Sequence, residues 1–142
     1  MDVKKERNES TENNVKKGNL IIIGGAEDKK GESKILEEVA EISGGEKANL
    51  VVVTTATEQP ETVGREYKKA FTRLGVKEIH LLDINSRDEA NSEESVKKIL
   101  NATGVFFTGG DQLRITSILA GTKTYEALHT AYQQGTVIEI GR

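Results

Sequence analysis

Short apolar runs recur along the chain from residue 19 onward, and glycine or polar residues follow most of them. The runs are NLIII at 19–23, ANLVVVTT at 48–55, KEIHLLD at 77–83, GVFFTGG at 104–110 and TVIEI at 136–140. Most are continuously apolar rather than alternating with polar residues, which is typical of parallel strands buried on both faces. The pattern therefore predicts five strands of a parallel sheet.

Amphipathic segments lie between these runs and predict helices. They are ESKILEEVAEIS, EQPETVGREYKKAFTRLG, SEESVKKILNA, DQLRITSILAG and TYEALHTAYQQG. In the second segment Tyr67, Phe71 and Leu74 recur every three or four positions, as one face of a helix requires. Strands that alternate with helices indicate an α/β fold, with helices on both faces of a parallel sheet and right-handed crossovers.

The first 18 residues have a different pattern, polar and of mixed charge. Val3 and Val15 are the only aliphatic residues after Met1 in this segment. So little apolar surface does not offset the entropy lost on ordering a chain. Residues 1–18 are therefore expected to be a flexible polar tail, and residues 19–142 to form the α/β domain.

Composition and charge narrow the class of protein. The 142 residues are 35% hydrophobic and 30% charged, which is typical of one soluble domain. The net charge of −3 gives no electrostatic reason to expect nucleic acid or an anionic membrane as partner. The chain has no cysteine and no apolar signal core, so we expect a cytoplasmic protein without disulfides.

The loops that follow the predicted strands are the expected ligand site. In open parallel sheets, ligands bind beyond the carboxyl ends of the strands. The loops at that edge include GGAEDKKG, TTATEQP and TGGDQ. No spacing of His, Asp and Glu matches a metal site, and no cofactor is predicted.

The glycine pairs Gly24-Gly25 and Gly109-Gly110 have two interpretations. They are either tight turns between strand and helix, or they expose backbone N–H groups at a helix N-terminus. Exposed N–H groups of this kind hold a carboxylate or a developing oxyanion. Asp111 is predicted to cap the following helix, which places Gln112 in its first turn, within reach of the strand ends.

Other motifs give weaker signals. GGAEDKKG lacks the spacing of a dinucleotide fingerprint, and the chain has no P-loop. Glu27, Asp28 and Asp83 only faintly imitate the acidic cluster of a phosphate-accepting receiver domain. His80 and His129, the two histidines, lie within a predicted strand and a predicted helix, and we expect structural roles for both.

Three segments, IIIGGAEDK, VVVTTATEQPE and FFTGGDQLRIT, occur in an order that resembles cyanophycinase. Cyanophycinases are serine peptidases of the group that includes aspartyl dipeptidase. The resemblance extends from about Gly18 to Ile138, nearly the whole α/β domain. It implies the class I glutamine amidotransferase-like fold, a flavodoxin-like arrangement of a parallel sheet with helices on both faces.

The resemblance also implies an activity. Cyanophycinases are serine-type exopeptidases that hydrolyse cyanophycin, a polyaspartate with arginine on each side chain, to β-Asp-Arg dipeptides. Their mechanism is acyl transfer by a Ser-His-acid triad, with the serine on a sharp strand-to-helix elbow and backbone amides as the oxyanion hole. Carried over, Gly110 and Asp111 would present oxyanion-hole amides.

The same resemblance implies substrate-binding residues. Gln112 and Gly109, in the TGGDQ loop, would contact the substrate. Glu27 and Asp28, in the first loop, are further candidates, either positioning that loop or meeting an arginine side chain of the polymer. Cyanophycin is then the expected partner.

The chain departs from the family at its last predicted strand. There the family continues into an elbow of the type G-T-S-A-G-A, whereas this chain reads GTVIEIGR. No serine has a G-x-S-x-G context; the serines are Ser10, Ser33, Ser43, Ser86, Ser92, Ser95 and Ser117. We therefore expect an N-terminal part of the fold, incomplete at its C-terminus, without the triad and inactive alone.

The alternative function is a non-catalytic binding module. It would use the GGAED and TGGDQ loops to hold an aspartyl or arginyl ligand, or pair with a partner chain through its sheet. Members of the family tend to be dimers, so a homodimer is left open as the assembly.

Overall fold

The computed structural model describes residues 2–7, 19–24 and 29–141. The strands are β1 Asp2–Arg7, β2 Asn19–Gly24, β3 Asn49–Val53, β4 Glu78–Leu82, β5 Gly104–Phe107 and β6 Val137–Ile140. The helices are α1 Lys29–Ile42, α2 Pro60–Arg73, α3 Arg87–Ala90, α4 Glu93–Asn101, α5 Gln112–Leu119 and α6 Lys123–Gln133. A 3₁₀ turn at Gly45–Lys47 precedes β3.

One sheet holds all six strands, in the order β1-β2-β6-β5-β3-β4. The strands β2, β6, β5, β3 and β4 run parallel to their neighbours, and these are the five predicted strands. Because consecutive parallel strands need crossover connections, helices lie between them along the chain. The predicted α/β fold is thus confirmed.

The alternating residues of β3 divide the core into two layers. Val51 and Val53 pack with helices α3 to α6 on one face. Leu50 and Val52 pack with α1 and α2 on the other face. Each layer buries apolar side chains of β5 as well, so the continuous apolar pattern of these strands follows from burial on both faces.

The N-terminal segment differs in part from the predicted flexible tail. Residues Asp2–Arg7 form β1, which pairs antiparallel with β2 in the register Asp2↔Gly24 to Arg7↔Asn19. Backbone pairing at a sheet edge satisfies N–H and C=O groups and needs no apolar side chains, so apolar content did not reveal it. Residues 8–18 lie outside the described residues.

The short helix α3 was also not predicted from the pattern. Four residues are too few to display a helical period, but a capping signal is present. The Ser86 side chain accepts a hydrogen bond from the Glu89 N–H, as at other helix N-termini. Among the described residues, no helix is both long and apolar enough to cross a membrane.

Candidate functional site

The carboxyl ends of the parallel strands lie at one edge of the sheet. The segments there include residues 54–57 after β3, Asp83 after β4, residues 108–111 after β5 and Gly141 after β6. The first loop, with the candidates Glu27 and Asp28, lies outside the described residues, and their roles stay predictions. His80 in β4 and His129 in α6 are not in these segments; His80 Nε2 lies 3.4 Å from Glu78 Oε2.

The loop after β5 packs tightly against the loop after β3. Gly110 has φ 141, a conformation that glycine tolerates and L side chains rarely adopt. A Cβ at this position would collide with the carbonyl oxygen of Ala56. The same oxygen accepts a hydrogen bond from the Asp111 N–H at 2.9 Å. Glycine at position 110 therefore permits the close approach of the two loops.

Asp111 caps α5, as predicted. Its Oδ1 accepts a hydrogen bond from the Leu113 N–H at 3.0 Å. Since its own N–H is donated to Ala56, that amide is not free to bind an oxyanion. In the described part of the chain, the Gly110 N–H has no hydrogen-bond partner. Of the two predicted oxyanion-hole amides, Gly110 is the one that this geometry leaves available.

Gln112 links α5 to the end of β6. Its Nε2 donates to the carbonyl oxygen of Gly141 at 3.3 Å. The Gly141 N–H in turn donates to the Phe107 carbonyl oxygen at 2.8 Å, which holds the β6 end beside β5. The side chain therefore reaches over the strand ends, as its place in the first helical turn suggested. Its contact with substrate, like that of Gly109, stays a prediction.

A ring of polar groups beside this loop was missed from the sequence. Arg114 donates from Nε to the Thr55 carbonyl oxygen at 2.9 Å and from Nη2 to Asn85 Oδ1 at 3.1 Å. Asn85 Nδ2 donates to Asp83 Oδ2 at 2.8 Å, and Thr54 Oγ1 donates to Asp83 Oδ1 at 3.1 Å. The partners are separated by about 30 positions or more except for Asn85 and Asp83, so no local pattern announces the ring.

A buried carboxyl group lies on β6 close to the site. Glu139 has no exposed surface, and neither of its oxygens has a hydrogen-bond partner among the described residues. Burial, together with repulsion from Glu38, raises the pKa of Glu139 to about 9. The signal was visible in the sequence as a charged residue within the apolar run TVIEI.

Among the described residues, this edge has no serine directly after a strand and no cluster of metal ligands. No serine occurs among the described residues that directly follow β3, β5 or β6. The serines at 86 and 92 instead cap α3 and α4, and Ser43 is buried. Within the part of the chain that the structure describes, no group of three His, Cys, Asp or Glu could hold a metal ion.

Solved structures share this fold. A peptidase from an acI-B1 Actinobacterium has a TM-score of 0.70 at 22% identity, covering 88% of this chain and 54% of that one. A putative peptidase E protein from Listeria monocytogenes has a TM-score of 0.63 at 17% identity, covering 87% of this chain and 57% of that one. These neighbours have the class I glutamine amidotransferase-like fold, which the sequence resemblance implied.

Sequence comparison gives the family. A cyanophycinase from Synechococcus elongatus is 34% identical over 123 residues, which are 86% of this chain and 38% of that protein. A cyanophycinase from Geminocystis herdmanii is 31% identical over 121 residues, which are 85% of this chain and 44% of that protein. The chain thus spans less than half the length of these relatives. The model of peptidase family S51 matches residues 20–141. This chain therefore belongs to peptidase family S51.

Proposed function

We propose that this chain forms the oxyanion and substrate-binding side of a cyanophycin-degrading serine peptidase. The observation that carries the proposal is the TGGDQ loop. There the unbonded amide of Gly110 lies one residue before the capped N-terminus of α5, at the carboxyl edge of the sheet. The similarity to curated cyanophycinases supports the same substrate class.

The chemistry would be acyl transfer to a serine. Attack on the carbonyl of the scissile amide creates a tetrahedral oxyanion, and a preorganised backbone N–H stabilises that charge. Gly110 would donate this hydrogen bond. Gln112 would exchange its bond to Gly141 for a bond to the aspartyl part of the substrate, because its amide already reaches over the strand ends.

We also propose that these 142 residues do not hydrolyse cyanophycin by themselves. The described segments at the strand ends supply amides but no serine nucleophile. Without a nucleophile and its base, oriented amides provide only residual catalysis. A cytoplasmic location and a homodimer belong to the same proposal; the location rests on the cysteine-free sequence without an apolar signal core, and the dimer on the family resemblance.

The direct test combines binding with turnover. The purified chain should bind β-Asp-Arg saturably in calorimetry and release no dipeptide from cyanophycin above a control without protein. Gln112→Ala should weaken binding about fivefold, the effect of one neutral hydrogen bond. The matched control is Gln133→Ala, since Gln133 is exposed at the end of α6, before β6 begins and so at the opposite edge of the sheet.

Each outcome has a separate meaning. Turnover above the control would contradict the proposed inactivity. Absence of binding by the wild-type chain would contradict the binding role of this edge. If both glutamine substitutions weaken β-Asp-Arg binding equally, Gln112 does not belong to the binding site. Binding without turnover also agrees with the alternative function, a non-catalytic binding module that uses the same TGGDQ loop.

A further inference from the structure

We infer that Arg114 is a positioning residue that fixes the Gly110 amide through a closed ring of hydrogen bonds. The ring consists of Arg114, Asn85, Asp83 and Thr54, and it closes through the backbone of Thr55. The inference rests on the proposed function, because that function gives the Gly110 amide its task. The ring itself is defined by contacts within the chain.

The ring joins three elements at the carboxyl edge of the sheet. Thr54 and Thr55 directly follow β3, Asp83 directly follows β4, and Arg114 belongs to the first turn of α5. Asp83 uses both carboxylate oxygens, one for the Thr54 hydroxyl and one for the Asn85 amide. The guanidinium of Arg114 then returns to the Asn85 side-chain oxygen and to the β3 loop. Each member therefore restrains the position of the next.

The ring is connected to Gly110 through the backbone of one residue, Ala56. The carbonyl of Thr55, which Arg114 holds, directly precedes Ala56. The Ala56 carbonyl oxygen accepts the Asp111 N–H, and it lies where a Cβ of Gly110 would be. Glycine has the broadest choice of backbone conformations, so its own residue type does not fix the direction of its N–H. The Ala56 carbonyl holds the next peptide through the Asp111 N–H, and so limits how far the backbone at Gly110 can rotate.

The geometry requires arginine at position 114. Its planar guanidinium offers Nε and Nη2 to two acceptors on different loops at once. A lysine ammonium is a point donor on a flexible stem and does not hold both acceptors in a fixed plane. The Asn85 amide is oriented with its oxygen toward Arg114 and its nitrogen toward Asp83, which matches donor to acceptor at every step.

The ring restrains only the loops that it connects, because three of its four side chains lie at the surface. Asp83, Asn85 and Arg114 are exposed, whereas Thr54 and Thr55 are buried. Hydrogen bonds between exposed groups contribute little to the free energy of unfolding of the whole chain. Loss of Arg114 should therefore loosen the Gly110–Asp111 backbone without unfolding the sheet, and this separates positioning from general stability.

The experiment compares Arg114→Lys, Asn85→Ala and the double variant with the wild-type chain. Amide hydrogen exchange by NMR reports the local opening of the Asp111–Ala56 bond. Each single variant should accelerate exchange of the Asp111 amide about fivefold and shift the Gly110 resonance. The double variant should resemble the single variants, because the ring is already broken. The amides of Val52 and Phe106, within β3 and β5, should keep their exchange rates.

The same variants are titrated with β-Asp-Arg by calorimetry. Affinity should fall by a similar factor in all three variants, while Arg65→Lys, an exposed arginine of α2, leaves it unchanged. A loss of affinity in Arg114→Lys alone, with Asn85→Ala unaffected, would overturn positioning in favour of direct ligand contact. If the exchange rate of the Asp111 amide is unchanged in Arg114→Lys, the positioning role of the ring is refuted. If the wild-type chain binds no dipeptide, the proposed function fails, and the exchange rates still decide the inference.

Discussion

At the scale of single residues, Glu139 combines an ionisable side chain with a fully buried position. Its strand neighbours across the sheet are Ile21 on β2 and Phe106 on β5. An ionised carboxylate without hydrogen bonds is costly in such surroundings, so the side chain takes up a proton, in line with its raised pKa of about 9. This group therefore links folding to pH.

The pH dependence has a definite sign. The unfolded chain loses the proton of Glu139 near its ordinary pKa of about 4.5, whereas the folded chain keeps it until about pH 9. The contribution of Glu139 to the free energy of unfolding is largest below pH 4.5 and decreases as the pH rises from there toward about 9. As the pH rises from 5 to 7, deprotonation of Glu139 in the unfolded chain should lower the free energy of unfolding by on the order of 3 kcal/mol.

Urea unfolding at pH 5, 7 and 9 measures this slope. Glu139→Gln keeps the shape of the side chain and removes its titration, so its free energy of unfolding should change less with pH than that of the wild type. Glu38→Gln is the companion variant, because it removes the neighbouring charge and should lower the pKa of Glu139. Parallel slopes in the wild type and Glu139→Gln would refute the assignment.

At the scale of elements, the sequence pattern located the parts that bury apolar surface. The five parallel strands and the helices α1, α2, α4, α5 and α6 agree with the predicted segments. The capping role of Asp111 also followed from a local rule. By contrast, β1 forms by backbone pairing and α3 has four residues, so neither displays a hydrophobic period. Local patterns do not encode such elements.

The contact between the loops after β3 and β5 gives an element-scale prediction. Gly110→Ala places a methyl group against the Ala56 carbonyl in a backbone conformation that alanine rarely adopts. The backbone strain alone costs about 1–3 kcal/mol. The collision adds to this, so the free energy of unfolding should fall further than in Gly45→Ala, where φ is 61 and nothing lies within 4 Å.

Chemical denaturation of both variants provides the comparison. Equal losses of stability would mean that the two loops separate easily, and the tight packing described for this site would then be wrong. A larger loss in Gly110→Ala, with β-Asp-Arg binding also weakened, is the expected result. Gly45→Ala should leave binding unchanged, because the 3₁₀ turn leads into the opposite end of β3.

At the scale of the whole molecule, sheet topology brings the candidate groups together. The order β6-β5-β3 places the ends of three strands side by side, so Gly141, the TGGDQ loop and residues 54–57 meet at one edge. The sequence predicted this edge from the rule for parallel sheets and the family from three motifs. The Arg114 ring depends on distant partners, and only the fold brings them together.

The most direct test of this account is an NMR titration of the ¹⁵N-labelled chain with β-Asp-Arg. Binding at the carboxyl edge of the sheet should produce saturable shifts of the amides of Gly110, Gln112 and Gly141. The groove between α4 and α6, lined by Val96, Leu100 and Ala127 among others, should remain unperturbed. Shifts concentrated in that groove, or no saturable shifts at the sheet edge, would contradict the account.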